Sequence, residues 1–423
     1  MEQNALTVIV PIKSDETAAL EQLLTEIGED VEGNPHFRFR DTPSTHFARW
    51  AIVDRDPKVG ARLLFISNYD GSFESYMREL VEAVGPGMEQ VWGKCEGYSP
   101  GAARDVARFT EFILRYSVEY QVFYVALAGA SVQTIAKSAR LREMVDELLD
   151  RPGAEPWMRQ LAALLPAARA GGSASPPRRR AAGLLEQLEQ LAVERLLELL
   201  EWLAGVRRGA VNPNLQAQAS KDVLDIEGSK VVQTPVTLVS TIKKPQFYHR
   251  LLLRITLSIV GRVARASYGS LAGVSSIHFA RWAIFDGGRH LLFETNFDGS
   301  WERYLDDFVD NASVGLNAIW ANCVSYPTGG AEDSMWFKKF FRDDHYPAQV
   351  FYSAYPSSTV NNIFTDLRLG AAVEQFLRQE EVERFLGGSY AMVMSRPPTD
   401  DTPHGTRSPV GASEPALRWA RDR

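Results

Sequence analysis

The sequence predicts an α+β protein in which one module is used twice. Three observations predict it: a seven-residue phrase that recurs letter for letter, landmarks that keep a constant spacing beyond it, and the same alternation of strand-like and helix-like segments in both halves.

His46-Phe47-Ala48-Arg49-Trp50-Ala51-Ile52 returns as His278-Phe279-Ala280-Arg281-Trp282-Ala283-Ile284, an offset of 232 positions (278 − 46). Four residues are then lost, and the offset becomes 228 (296 − 68). At that spacing Leu63-Leu64-Phe65 matches Leu291-Leu292-Phe293, and Asn68-Tyr69-Asp70-Gly71-Ser72 matches Asn296-Phe297-Asp298-Gly299-Ser300. Trp92, Cys95 and Tyr98 match Trp320, Cys323 and Tyr326, and Gln121-Val122-Phe123-Tyr124 matches Gln349-Val350-Phe351-Tyr352. The change of length falls between residues 55–62 and 287–290, polar stretches where a loop tolerates it and a strand does not.

Within the first copy, residues 6–12 are apolar and β-branched and read as a strand. Residues 15–32 place Ala19, Leu20, Leu23, Leu24 and Ile27 at helical spacing, with Ser14 or Asp15 as the cap. Residues 46–54 and 63–67 are two strands around a loop. Residues 73–84 are helical, a helical insertion follows near 104–116, residues 122–128 form a fourth strand, and 131–149 close the module as a helix. The order βαββαβ is the ferredoxin-like pattern. Both alternating sets of the fourth strand are apolar, Val122, Tyr124 and Ala126 against Phe123, Val125 and Leu127. A sheet covered by helices on one side needs one apolar face, so the second face calls for the sheet of the other copy. The expectation is two tandem ferredoxin-like modules forming a pseudo-dimeric α+β barrel: module 1 over 4–150, a helical linker over 151–231, module 2 over 232–395 and a disordered tail over 396–423. Within the linker, residues 182–208 carry Leu184, Leu188, Leu191, Leu199 and Leu203 on one stripe, to dock on the body or on another chain.

Composition removes several functional classes. A net charge of −7 argues against a general nucleic-acid binder. Two cysteines in 423 residues argue against a disulfide-built secreted protein. No basic start followed by an apolar run and no 18-residue apolar stretch occurs, so a cytoplasmic protein is expected. The seven histidines show no zinc-type spacing, and Walker, Gly-x-Gly-x-x-Gly and nucleophile-elbow patterns are missing.

Chemistry therefore rests on the duplicated phrases. His46 and His278 offer an acid, base or ligand, and Arg49 and Arg281 an anion clamp. Strict alternation would put His46 with Ala48 and Trp50 on one strand face, and Phe47 with Arg49 on the other. The plainer role of these residues is hydrogen bonding that fixes the sheet. Asp70 and Asp298, before Gly-Ser at a strand–helix turn, read as caps or as a carboxylate shuttle. Cys95 and Cys323 read as small buried hydrophobes. One contrast separates the copies. The first helix of copy one holds seven acidic residues and no basic one, whereas residues 247–265 hold Arg250, Arg254, Arg262 and Arg265 and no acidic one. That basic face suits an anionic membrane or an acidic protein surface, including self-association.

The tandem pattern resembles the dimeric α+β barrel superfamily, and within it the dye-decolourising haem peroxidases. Those enzymes use a Gly-x-x-Asp-Gly loop, a histidine on the haem iron and a distal arginine. The corresponding residues are Ser67-Asn68-Tyr69-Asp70-Gly71 and Thr295-Asn296-Phe297-Asp298-Gly299, where Asp-Gly is present and the first Gly is not. The phrases His-Phe-Ala-Arg-Trp and Asn-Tyr-Asp-Gly-Ser also look like those of an uncharacterised bacterial family of peroxidase-like proteins. The resemblance implies an oxidoreductase with a ligand pocket in the second module and haem as cofactor. Asp298 would be the proton shuttle, Arg281 the peroxide partner, His345 or His278 the iron ligand and Asn296 a cofactor contact. Two rival classes stand beside it: a non-catalytic binding or assembly module, and a cofactor-free monooxygenase-type barrel whose buried cavity steers the substrate.

Overall fold

The computed structural model describes residues 3–53, 60–149, 184–207 and 232–377. The tail over 396–423 and most of the linker lie outside the described residues. In chain order the elements are β1 (Gln3–Pro11), α1 (Thr17–Glu29), β2 (Thr45–Val53), β3 (Arg62–Asp70), α2 (Phe73–Trp92), α3 (Val106–Tyr116), β4 (Val122–Val125) and α4 (Val132–Leu149). They continue with α5 (Leu184–Ala204), β5 (Gln233–Thr241), α6 (Gln246–Ala266), β6 (Ile277–Phe285), β7 (His290–Asp298), α7 (Trp301–Trp320), α8 (Ser334–Asp344), β8 (Val350–Ser353) and α9 (Val360–Leu377). The fold is α+β, with two four-stranded antiparallel sheets.

Most expected elements recur within a few residues. Two local details differ. Helix α1 starts after Glu16 with no side-chain cap, so neither Ser14 nor Asp15 serves there. Helix α2 runs on to Trp92 through non-helical dihedrals at Val84 and a proline at 86. The substitution of Pro86 by Val314 in copy two leaves α7 without such a break.

The larger difference lies in the sheets. Their orders are β1-β3-β2-β8 and β4-β6-β7-β5. Each sheet takes three strands from one half of the chain and its fourth from the other. Trp50 pairs with Val350 across β2 and β8, and Trp282 pairs with Val122 across β6 and β4. Each of these four-residue strands serves as the edge that ties one half to the other. No ladder joins one sheet to the other, so among the described residues the strands do not close into a barrel.

Helices cover the outer faces of both sheets, and the inner faces meet. Ala51, Val53, Leu64 and Ile66 of one sheet pack with Val239, Ala283, Phe285 and Leu292 of the other. At the centre of this contact sit the two arginines of the repeated phrase, both essentially without solvent contact. Each crosses to the opposite sheet. Arg49 donates to the carbonyls of Val236 and Thr295 at 2.8 and 2.9 Å and to Thr237 Oγ1 at 3.1 Å. Arg281 donates to the carbonyls of Leu6 and Ser67 at 2.8 and 3.1 Å, to Thr7 Oγ1 at 2.8 Å and to Asn68 Oδ1. Val236 is the ladder partner of Thr295, and Leu6 of Ser67, so each guanidinium bridges one cross-strand pair in the facing sheet. Aromatic rings flank the cations: Phe351 and Phe279 at 5.6 Å from Arg49, Phe123 at 5.5 Å and Phe279 at 5.6 Å from Arg281. Phe351 and Phe123 belong to the exchanged strands.

The closing helices add a second join. α4 packs on α9, with Arg142 Nε 2.8 Å from Asp366 Oδ1. Helix α5 packs on α6 and α7 through Leu197, Leu200, Leu203 and Ala204. Leu191 and Leu199, expected on the docking stripe, are instead half exposed, at 51% each. Burial pushes the thiol of Cys95 up to about 12 and that of Cys323 higher still, as suits inert core groups.

Removing a clamp leaves buried carbonyls without donors, at about 1–3 kcal/mol each. Arg49→Met should therefore lower the urea unfolding free energy by about 3 kcal/mol, whereas Arg254→Met on an exposed helix face should change it by about 0.5 kcal/mol or less. A variant of Arg49 as stable as the parent would remove the clamp from this account.

Candidate functional site

The histidines of the repeated phrase lie at irregularities in their strands. Register shifts between Thr45 and Phe47 against β3, and between Ile277 and Phe279 against β7. His46 and His278 are thus the extra residues of two β-bulges, a device that re-aims a side chain. This breaks the alternation that would place them beside Ala48 and Trp50 or Ala280 and Trp282.

Each re-aimed ring meets the aspartate of the second repeated phrase. His46 Nε2 donates to Asp70 Oδ1 at 3.0 Å, and His278 Nε2 to Asp298 Oδ1 at 2.8 Å. The other carboxylate oxygens accept from backbone N–H groups at 2.8 Å, Asp70 from Val132 and Asp298 from Val360. These are the first residues of α4 and α9, where the positive helix end favours a carboxylate. Each pair so fastens a bulge to the start of a closing helix. The glycines that follow, Gly71 and Gly299, hold φ of 85° and 86°, which a side chain would strain. Ser72 then caps α2 through Ser75 N at 3.2 Å, while Ser300 caps nothing with its hydroxyl.

The two pairs share one neighbour. Tyr355 follows the exchanged strand β8 and lies 3.0 Å from His46 Nδ1, which in a neutral ring donating from Nε2 accepts the phenol proton. Its ring also stands 6.1 Å from that of His278 and edge-on to Phe47 at 5.2 Å. Burial, and then the Asp70 charge, hold the phenol well above its ordinary value. The matching residue of copy one, beyond β4, is Leu127, so His278 has no such phenol.

The remaining sequence candidates disperse. The four terminal N–H positions of Arg281 are occupied by the facing sheet. Asn296 donates to Gln233 Oε1 at 3.1 Å and is fully buried, its Oδ1 lacking a partner among the described residues. His345 bridges to Leu238 of β5, with its ring 5.7 Å from Trp301, apart from the His278–Asp298 pair. Burial, and then Arg49, lower His345 to about 4, so its imidazole is neutral.

One central residue was not among the candidates. Glu294 lies directly across the ladder from Arg281, and its carboxylate stands 3.6 Å from Arg281 Nε without solvent contact. Neither oxygen has a hydrogen-bond partner among the described residues. Burial outweighs the two arginines and raises Glu294 to about 7. The matching residue of copy one is Ile66. The signal was available in the sequence as the one apolar-to-charged replacement between the matched strands β3 and β7.

The cavity lies elsewhere. A cleft of about 1430 Å³ runs between α5, α6 and α7, over the outer face of the second sheet. Leu271, Trp282, Phe308, Leu316 and Ile319 line it as buried apolar groups. In copy one aromatic rings occupy the corresponding place. Phe37 stands edge-on to Trp50, the counterpart of Trp282, at 4.8 Å, and Phe39 lies tilted against it at 5.3 Å. At the spacing of 232 kept by the repeated phrase that follows, their counterparts in copy two are Gly269 and Leu271. The helix glycines agree: a Cβ on Gly87 would meet His36 O at 2.2 Å and the Phe37 ring at 2.8 Å, whereas one on its counterpart Gly315 would meet nothing within 4 Å.

No family model, curated protein or solved structure matches this chain. Function must be argued from the site itself.

These residues do not fit a haem. The cleft with room for one is lined by no His, Cys, Met or Tyr, the usual axial ligands. The repeated histidines are packed, with Nε2 held by carboxylates. Among the described residues no group of three or more His, Cys, Asp or Glu side chains is placed to hold a metal ion, and no helix is long and apolar enough to cross a membrane.

Glu294 yields a pH dependence. Its folded value, about 7, exceeds the ordinary 4.5, so between those pH values the folded chain holds a proton that the unfolded chain has lost. Stability from this group is present at low pH and declines as pH rises through the window, by ~3 kcal/mol at most. His345, lowered to about 4, has the opposite slope between about 4 and 6.5. The difference between wild type and Glu294→Gln isolates the first group. Urea titrations from pH 4.5 to about 8 should show the variant gaining on wild type as pH rises; parallel profiles would contradict the assignment.

Proposed function

We propose that this chain is a non-catalytic binding protein. In this reading two ferredoxin-like halves form a pseudo-dimer through exchanged strands, and the second half holds an elongated apolar small molecule over Trp282. The observation that carries it is the contrast between Phe37 and Phe39, which plug the space above Trp50, and Gly269 and Leu271, which leave the equivalent space open. A packed core tolerates few voids, and an unneeded one costs stability. A cleft kept open in one copy and filled in the other is therefore a feature of use.

The lining states the ligand's chemistry. The floor is aliphatic and aromatic, and the volume exceeds the ~300–1,000 Å³ of most small-molecule pockets. The rim carries Glu189, Glu194 and Asp310 against a single Arg262. Three carboxylates against one guanidinium select a neutral or cationic polar end, such as that of a long-chain amine, over a fatty acid.

The apolar dye N-phenyl-1-naphthylamine reports on such a cleft by its emission, and a long-chain amine should displace it better than the carboxylic acid of equal length. Leu271→Phe, which restores the Phe39 of copy one, combined with Gly315→Leu, which adds a side chain where a Cβ meets nothing within 4 Å, fills the cleft and should weaken dye binding about 10-fold or more, near 1.4 kcal/mol, with an unchanged circular dichroism spectrum. Equal affinity in the folded double variant would end the proposal.

A further inference from the structure

We infer that α5 and α6 together form a self-complementary docking face for a second copy of this chain. Twelve large apolar side chains stand exposed among the described residues, and eight are on these two helices. Leu191, Leu196, Leu199 and Trp202 project from α5, and Phe247, Leu251, Ile255 and Val263 from α6. Elsewhere only Leu114, Tyr120, Tyr268 and Val324 are exposed, one or two to an element. The two helices are neighbours, joined where Tyr248 Oη donates to the Leu203 carbonyl at 3.0 Å. Half-exposed side chains of this kind offer roughly 100 Å² each, so eight approach the ~800 Å² per partner of a standard interface.

Charge selects the occupant. Helix α6 contains Arg250, Arg254, Arg262 and Arg265 and no acidic residue, while α5 contains Glu186, Glu189, Glu194, Glu198 and Glu201 against Arg195 alone. Of these, Glu189, Glu194, Arg254, Arg262 and Arg265 are exposed. A two-fold axis uses the same patch on both protomers. It sets the acidic helix of each copy on the basic helix of the other, twice, with apolar side chains between. An anionic membrane would meet the arginines of α6 but also the glutamates of α5 beside them, and like charges oppose that approach. The inference does not rest on the ligand reading, and its test uses no ligand.

The test is the mass of the full chain by sedimentation velocity, at concentrations from about micromolar upward. Wild type should be a dimer that dissociates on dilution. Arg254→Glu with Arg265→Glu makes both helices acidic, and Glu189→Arg with Glu194→Arg makes both basic. Each of these exposed-site variants should be monomeric alone, with a Kd raised about 10-fold or more, and the two mixed should form a heterodimer. Trp202→Ser with Leu251→Ser should also be monomeric. A wild type that stays monomeric throughout overturns the inference, as does a dimer that all variants retain. Salt-sensitive binding of a monomer to phosphatidylserine vesicles, lost in Arg254→Glu, would assign the face to membrane and overturn it equally.

Discussion

The two reciprocal guanidiniums set the constraint on which the rest of the molecule depends. Arg49 and Arg281 are charged groups in a region without water, and burying such a group is costly unless every donor is used. Between them they use the carbonyls of Val236, Thr295, Leu6 and Ser67, two threonine hydroxyls and Asn68 Oδ1, while Arg281 Nε faces Glu294 at 3.6 Å without a hydrogen bond among the described residues. Those acceptors lie at matching places in the two facing sheets, so only one relative placement satisfies both cations. Burial takes its toll all the same: it lowers Arg49 to about 10, against the raising effect of Glu294. Hydrophobic packing alone would press the two inner faces together, but it would not choose a register. The exchanged strands reinforce the choice, because Phe123 and Phe351 reach the arginines only when β4 and β8 lie in the opposite half.

From this follows the role of the histidine–aspartate pairs. The arginines fix the middle of the inter-sheet contact, and the pairs fix its end. Each joins a bulge, a glycine turn and the first turn of α4 or α9, and those helices then pack on each other. His46 and His278 accordingly act on the assembly of the two halves. Tyr355, contributed from beyond an exchanged strand, lies where the two pairs approach one another and belongs to the same fastening.

Much of this architecture is written in the chain. The repeat, the order of elements, the burial of both strand faces and the meeting of the two sheets all follow from residue patterns, because periodicity and matched spacing are local signals. Strand exchange is not local. Gln121-Val122-Phe123-Tyr124 reads as a strand without naming its partner, and the hydrogen bonds of β4 with β6 are equally open to a neighbour from its own half. The bulges were hidden too: His46 sits in an unbroken run of strand-forming residues, and only the loss of register against β3 reveals it. The duplicated His, Arg and Asp stood out for being repeated, and repetition marked the parts that hold the halves together. Leu271 and Gly315 carried no such mark, because a small or aliphatic residue gains meaning only beside the Phe39 or Gly87 it corresponds to.

A repeated sequence contains its own control, and that control separates scaffold from use. Three kept residues have an equivalent task in each half: Arg49 with Arg281, Asp70 with Asp298, Cys95 with Cys323. The departures concentrate in three places. Ile66 becomes Glu294 at the centre of the contact, the phenylalanines over Trp50 become an open cleft over Trp282, and the acidic α1 becomes the basic α6. Two of the three involve the same corner, since α6 walls the cleft with Val260 while presenting Phe247 and Leu251 outward. Helix α5, which has no counterpart in copy one among the described residues, covers that same corner from the linker. The asymmetry of the molecule is thus gathered on the outer face of the second sheet, away from the symmetric machinery between the sheets, and this is the face on which binding is to be sought.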